Sequence, residues 1–264
     1  MGRPIRVGTI KSPSTAQGYI AFWPCFQANT DTSVTDRSGK GNNGAFNSLT
    51  TGEAWTNANR LSNPTTSSHN VSLLKTAITA AGWKWNTARK DSLFVSVRAR
   101  LTLPGSATSW MGNANSAGEG GIKWNVDNLG KWQIGFYDKL AASSEFSALT
   151  VVDASWGSND HTIGLYLDGP NNTYTRFVDG VVLDGPTAFT TVQTLEPQSS
   201  SFDWNLGCSQ TGQASNVVSQ FSCFHILYAP QSAGSCQRPT HLAMRLHRSP
   251  ALLVSGGTGM EWPY

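Results

Sequence analysis

Apolar and polar residues alternate with a period of two along much of this chain. The clearest case is Ser92–Leu101, where Leu93, Val95, Val97, Ala99 and Leu101 fall on one side and Ser96, Arg98 and Arg100 on the other. Successive side chains of a strand point to opposite faces, so this segment is predicted to set one face on a core and the other toward water or a partner. Pro104-Gly105 ends it. Residues 18–24 form an apolar run closed by Pro24, which predicts a strand at or near a sheet edge because proline cannot donate to a ladder. Gly121–Val126, Lys131–Tyr137 and residues 161–167, 202–208 and 221–228 are further short strands at the spacing of a sandwich. Residues 172–183 read as a hairpin turning at Asp179-Gly180, since a type I′ turn needs positive φ at both central positions.

Helical spacing is confined to two places. Leu74, Ala77, Ile78 and Ala81 recur at three and four residues before Gly82, which predicts a short helix over residues 71–81. Leu242 and Leu246 lie one helical turn apart, which predicts another over residues 239–247, after the last strand. No linker divides the chain and no repeat is visible beyond strand-turn-strand recurrence.

Composition agrees with a turn-rich β-protein. Of 264 residues, 26 are Gly, and charged residues make up 13%, about half the usual ~25%. The net charge of +3 is too mild, and the basic residues too scattered, to point to nucleic acid; the one local cluster, Arg238, Arg245 and Arg248, reads as a solvated helix face or an edge against a partner. No apolar run approaches the ~20 residues of a membrane span, and the first residues show no secretory pattern. Folding in a reducing cytosol is therefore expected, with Cys25, Cys208, Cys223 and Cys236 as buried thiols; a Cys208–Cys223 bridge stays open as an alternative.

The order of motifs resembles laminin-G-like domains of the concanavalin A-like lectin/glucanase superfamily. A Trp-bearing strand at residues 18–24 precedes Asp36-Arg37-Ser38-Gly39-Lys40-Gly41-Asn42-Asn43-Gly44, similar to that family's Asp-x-Ser-Gly-x-Gly-Asn-x-Gly turn. Phe177-Val178-Asp179-Gly180 resembles its Tyr/Phe-Val-Asp-Gly hairpin, and Asn205-Leu206-Gly207 with Phe224-His225-Ile226-Leu227-Tyr228 its last two strands. The resemblance implies an all-β fold, a two-sheet antiparallel jelly-roll sandwich with a short C-terminal helix. The expected layout is an extended arm over 1–17, the domain over 18–248 and a docking tail over 249–264. Gln231-Ser232-Ala233-Gly234-Ser235-Cys236 departs from the family's usual helix start.

The chemistry expected is binding rather than catalysis. Glucanases of the superfamily carry closely spaced carboxylates on one strand, whereas Glu53, Glu119, Glu145, Glu196 and Glu261 are far apart. No Gly-x-Ser-x-Gly elbow or zinc-protease helix occurs, and a Cys25–His225 nucleophile and base has no local support. The Gly-rich turn at 39–44 lacks the Gly-Lys-Ser/Thr helix start of a phosphate loop. Trp110 and Trp124 with Asn113 and Asn115 are the candidate sugar-stacking surface, with Trp132 beside them. No cofactor is required; Asn125, Asp127 and Asn128 are the oxygens that calcium would take. Domains with a polar arm and an aromatic tail also resemble virion proteins of tailed bacteriophages. The leading expectation is thus a capsid-decoration or other virion surface protein, docked on capsid or tail subunits through Arg3, Ile5, Arg6, Met260, Trp262 and Tyr264, with self-association open. The alternative is a lectin-like module that binds a host glycan or receptor.

Overall fold

The computed structural model describes residues 19–25, 32–54, 61–63, 69–114, 120–195, 203–208 and 219–229. They form two antiparallel sheets packed face to face. In chain order the strands are β1 (Tyr19–Trp23), β2 (Ser33–Val34), β3 (Gly44–Asn47), β4 (Leu61–Asn63), β5 (Asn70–Leu73), β6 (Ser92–Leu101), β7 (Thr108–Gly112) and β8 (Gly121–Val126). They continue with β9 (Lys131–Tyr137), β10 (Ser144–Phe146), β11 (Thr150–Val151), β12 (His161–Asp168), β13 (Thr173–Val178), β14 (Val181–Ala188), β15 (Trp204–Leu206) and β16 (Ser219–Ala229). One sheet runs β1-β16-β6-β12-β13-β14, with β4 also on β16; the other runs β10-β9-β8-β7-β15-β5-β3-β2, with β11 also on β9. The expected all-β jelly-roll sandwich is therefore the fold, and β1, closed by Pro24, is an edge strand as its sequence predicts.

The core follows from the alternation. Leu93, Val95, Val97, Ala99 and Leu101 of β6 all point inward, and so do Ile122, Trp124 and Val126 of β8 and Trp132, Ile134 and Phe136 of β9. Tryptophan fills the space between the layers: Trp110 packs edge-on against Trp124 at 5.9 Å and Trp156 at 6.1 Å, and stacks on Phe221 at 6.2 Å. Tilted and edge-on pairs at these spacings suit the ring quadrupoles.

One charge crosses the interior. Arg176 of β13 is fully buried. Its guanidinium donates to the Trp132 carbonyl at 2.9 Å, to Thr150 Oγ1 at 2.9 Å and to the Asp184 carboxylate, and its face lies 5.1 Å from the Trp132 ring. A buried charge is tolerated only when paired and hydrogen-bonded, and this pairing ties β13 and β14 to β9 and β11 of the facing sheet.

Two turns show why their motifs look as they do. Asp36 is buried, and its carboxylate accepts the Phe22, Ser38 and Asn42 backbone N–H groups at 2.9 Å and the Ser38 hydroxyl at 2.6 Å. Asn42 returns the contact: its side chain donates to the Ile20 carbonyl, and its own carbonyl accepts from the Trp23 indole. The turn is a buckle on β1, not an anion cradle. In the β13–β14 hairpin Asp179 and Gly180 have φ of 50° and 80°, as the type I′ prediction requires.

One expectation changes. The helix predicted over residues 71–81 is shorter: Asn70–Leu73 is strand β5, paired with β3 and β15, and only Lys75–Ala80 is helical (α2). Cross-strand pairing takes Val71 and Leu73 into the core, while Ala77 and Ile78 supply the buried face of the helix. A four-residue helix, α1 (Thr51–Ala54), precedes β4. The helix expected over residues 239–247, the arm and the tail lie outside the described residues.

Candidate functional site

The expected sugar platform is not on the surface. Trp110 and Trp124 have no exposed area and belong to the core, and Asn113 is 1% exposed. Asn113 Oδ1 accepts the Ile122 N–H at 2.9 Å, so it braces the β7–β8 connection. Asn115 lies outside the described residues, as do Arg3, Ile5, Arg6, Met260, Trp262 and Tyr264. The correction is one of register: on β8, Trp124 shares a face with Ile122 and Val126, so Lys123 and Asn125 are the residues turned away from the core.

Those outward residues form a polar strip across the nine-stranded sheet. Cross-strand partners run Ala45, Ser72, Asn205, Gly112, Lys123, Gly135 and Phe146, from β3 to β10. Ser72 and Asn205 are buried, as is neighbouring Asn70, whereas Phe146 is 48% exposed and Lys123, Asn125, Lys131 and Gln133 are half-buried. The face therefore closes toward β5 and opens toward β8, β9 and β10.

Lys123 is flanked in its row by Gly112 and Gly135, neither of which carries a side chain of its own. Gly135 also seats two rings. A Cβ there would meet Phe146 at 2.9 Å and Tyr137 at 3.0 Å, and the two rings pack edge-on with centroids 5.9 Å apart. Gly112 has φ of 142°, and a Cβ there would lie 2.3 Å from the Ile122 carbonyl, so its lack of a side chain is dictated by backbone approach. Gln133 is oriented by donating to the Ser147 carbonyl at 3.1 Å, and Asn125 Oδ1 accepts from the Ser109 hydroxyl at 3.0 Å. Val151 of β11, opposite Lys131, extends the apolar rim. The open part of this face thus combines an exposed ring, a half-buried lysine and amides held in place by hydrogen bonds.

Two groups of titratable side chains lie elsewhere in the sandwich. His161 bridges two carboxylates, with Nδ1 2.7 Å from Asp179 and Nε2 2.9 Å from Asp153. Burial opposes its charge, but the hydrogen bonds to Asp153 and Asp179 prevail and hold its pKa above the ordinary value. With both ring nitrogens bonded to carboxylates, the imidazolium has no lone pair left to act as a base. Cys223, not Cys25, is the thiol beside His225, with Sγ 3.3 Å from Nε2. Burial pushes the Cys223 thiol up to about 12 and the His225 imidazole down to about 3, so the pair is neutral and holds no thiolate. Cys25, Cys208 and Cys223 are buried thiols rather than half-cystines.

Among the described residues no group of three or more His, Cys, Asp or Glu could hold a metal ion. Of the oxygens considered for calcium, Asp127 Oδ1 accepts the Leu129 and Lys131 N–H groups and closes the β8–β9 turn.

No family model matches the chain, and no curated protein matches it in sequence. Its fold does have solved counterparts. The carbohydrate-binding module CBM40 of the Ruminococcus gnavus IT-sialidase, bound to alpha2,6 sialyllactose, is similar with a TM-score of 0.50 at 12% identity, over 68% of this chain and 96% of that one. A Trypanosoma rangeli sialidase in complex with sialic acid is similar with a TM-score of 0.53 at 11% identity, over 88% of this chain and 33% of that one. This chain thus spans a third of the sialidase and nearly all of the module. At such identity the likeness establishes a shared two-sheet β-sandwich fold.

The signal for Lys123, Asn125 and Gln133 was present in the sequence. Alternation along Gly121–Val126 and Lys131–Tyr137 already assigns Lys123, Asn125 and Gln133 to the face opposite the tryptophans. The position of Phe146, brought over Gly135 by the three-residue strand β10, had no such signal.

Proposed function

We propose that this chain is a non-catalytic, lectin-like carbohydrate-binding module, and that the open part of the outer face of its nine-stranded sheet holds the sugar. Within its fold we group it with laminin-G-like domains, on the Asp36 turn and the Asp179-Gly180 hairpin. The observation that carries the reading is the exposed Phe146 ring set over Gly135 beside the Gly112-Lys123-Gly135 row. A pyranose would lay its C–H face on Phe146, while Gln133, Asn125 and Ser109 meet hydroxyls and Lys123 meets a hydroxyl or carboxylate. The sialyllactose held by the similar CBM40 module supports a glycan ligand in preference to the expected capsid-surface role. No carboxylate pair suited to glycoside hydrolysis is found in this open strip.

Chemical-shift mapping with alpha2,6 sialyllactose tests the reading. Shifts confined to β8, β9 and β10 are expected. Saturable shifts on another surface, with these strands silent, would overturn the assignment.

A further inference from the structure

Phe146 stands on a slight piece of the sheet that carries it. β10 has three residues, ends the nine-stranded order and, among the described strands, pairs with β9 alone. An edge strand this short supplies little hold of its own. Alternation sends its residues to different sides. Phe146 pairs with Gly135 on the outer face, while Glu145 pairs with Phe136, whose ring is in the core. Glu145 is thereby turned toward the facing sheet. There it meets the segment that follows β14. Glu145 Oε2 accepts the Thr190 N–H at 3.0 Å and the Thr191 N–H at 3.1 Å, and both threonine hydroxyls donate to it at 3.3 Å.

That segment is itself anchored at both ends. The Phe189 N–H donates to the Asn172 carbonyl at 3.0 Å and the Leu195 N–H to the Trp85 carbonyl at 2.9 Å. The Phe189 ring packs edge-on against Phe136 at 4.9 Å and Trp85 at 5.4 Å. A second carboxylate ties it to the start of the β9–β10 turn: Asp138 Oδ2 accepts the Gln193 and Thr194 N–H groups at 2.6 and 2.9 Å. Residues 189–195 therefore grip the β9–β10 hairpin on either side of its turn, through Asp138 and Glu145. We infer that Glu145 is a positioning residue of the sugar surface: by holding β10 to Thr190 and Thr191, it keeps the Phe146 ring over Gly135. This rests on the reading of the open strip as that surface, and it adds a residue on the opposite side of β10. The role differs in sign from that of a bare charge. Sialyllactose is an anion, so deleting a nearby carboxylate would strengthen its binding on electrostatic grounds, whereas releasing the ring weakens it.

Calorimetry with alpha2,6 sialyllactose and NMR test the inference together. Glu145→Ala, and Glu145→Asp with its carboxylate one methylene short, should each weaken binding roughly three- to tenfold. Glu145→Gln keeps an acceptor oxygen at full reach and should stay close to native. In the Phe146→Ala background Glu145→Ala should cost nothing further, because it acts through the ring. The Gly135 Cα protons, which face the Phe146 and Tyr137 rings, give a readout that needs no ligand. Their ring-shifted resonance should move toward its Phe146→Ala position in Glu145→Ala and Glu145→Asp, and stay native in Glu145→Gln. If Glu145→Ala fails to fold, Glu145→Asp decides by the same pattern. A Gly135 resonance unmoved in both would overturn the inference. So would an affinity equal to or above native in both, or a loss that adds to that of Phe146→Ala. Should the native chain bind no sialyllactose, the reading of the surface fails, and the Gly135 resonance still decides whether Glu145 places the ring.

Discussion

Asp36 is the residue on which the first turn depends, because one carboxylate serves four donors from the turn and from β1. Removing it leaves buried backbone N–H groups without acceptors. We expect Asp36→Ala to cost about 2–4 kcal/mol in urea unfolding, and Asp36→Asn to cost less because one acceptor oxygen remains. The two histidines give stability opposite pH trends. His161 titrates above its ordinary value when folded, so its contribution is complete below ~6.5 and is lost as pH rises through the folded pKa. His225, held down to about 3 by burial, acts the other way: below ~6.5 the unfolded chain takes up a proton that the folded chain refuses. The urea midpoint of His161→Gln relative to the native chain should therefore show its largest deficit near pH 5.5 and a smaller one near pH 8.5. A deficit independent of pH would mean that the carboxylate bridge does not carry the charge described. Asp36 and Asp179 were legible because short-range turn chemistry is written in consecutive residues. The Cys223–His225 contact was equally visible as an i, i+2 pair on a strand. Its neutrality was not, because that depends on burial of an outward face that a single strand does not reveal.

At the scale of elements, strand existence was well marked and facing was not always followed through. The alternation of β6, β8 and β9 placed the core, and proline and glycine placed the edges and turns. The helix predicted over residues 71–81 failed at its start because Val71 and Leu73, two apart, follow strand spacing and pair through β5 with β3 and β15. Trp124 is the instructive case: an aromatic ring suits a sugar platform or a core equally well, and only the neighbours Ile122 and Val126 decide between them. This assignment separates two substitutions. Trp124→Ala should cost about 3–5 kcal/mol through the cavity it leaves, and Phe146→Ala should cost well under that, with its ring half in water. Paired denaturation curves check both. Equal losses would mean that Phe146 is part of the core and not of a binding face.

At the scale of the whole molecule, two sheets enclose one core, yet their outer faces differ. The seven-stranded sheet is dry outside, around Phe94 and Phe177, whereas the nine-stranded sheet is polar and opens at β8, β9 and β10. That asymmetry is the ground for proposing the open part of the nine-stranded sheet as the ligand surface. It could not be read from the sequence, because on β6 Phe94 shares its side with Ser96, Arg98 and Arg100, and a mixed side of this kind does not tell a dry face from a wet one. The similar solved structures share the sandwich, and the ligand surface has to be argued from this chain's own side chains. Calorimetric titration of the native chain with alpha2,6 sialyllactose, alongside Phe146→Ala and Lys123→Ala, tests that surface most directly. The account predicts saturable binding that each substitution weakens at least tenfold while leaving the unfolding midpoint nearly unchanged. Binding undiminished in both variants would contradict it.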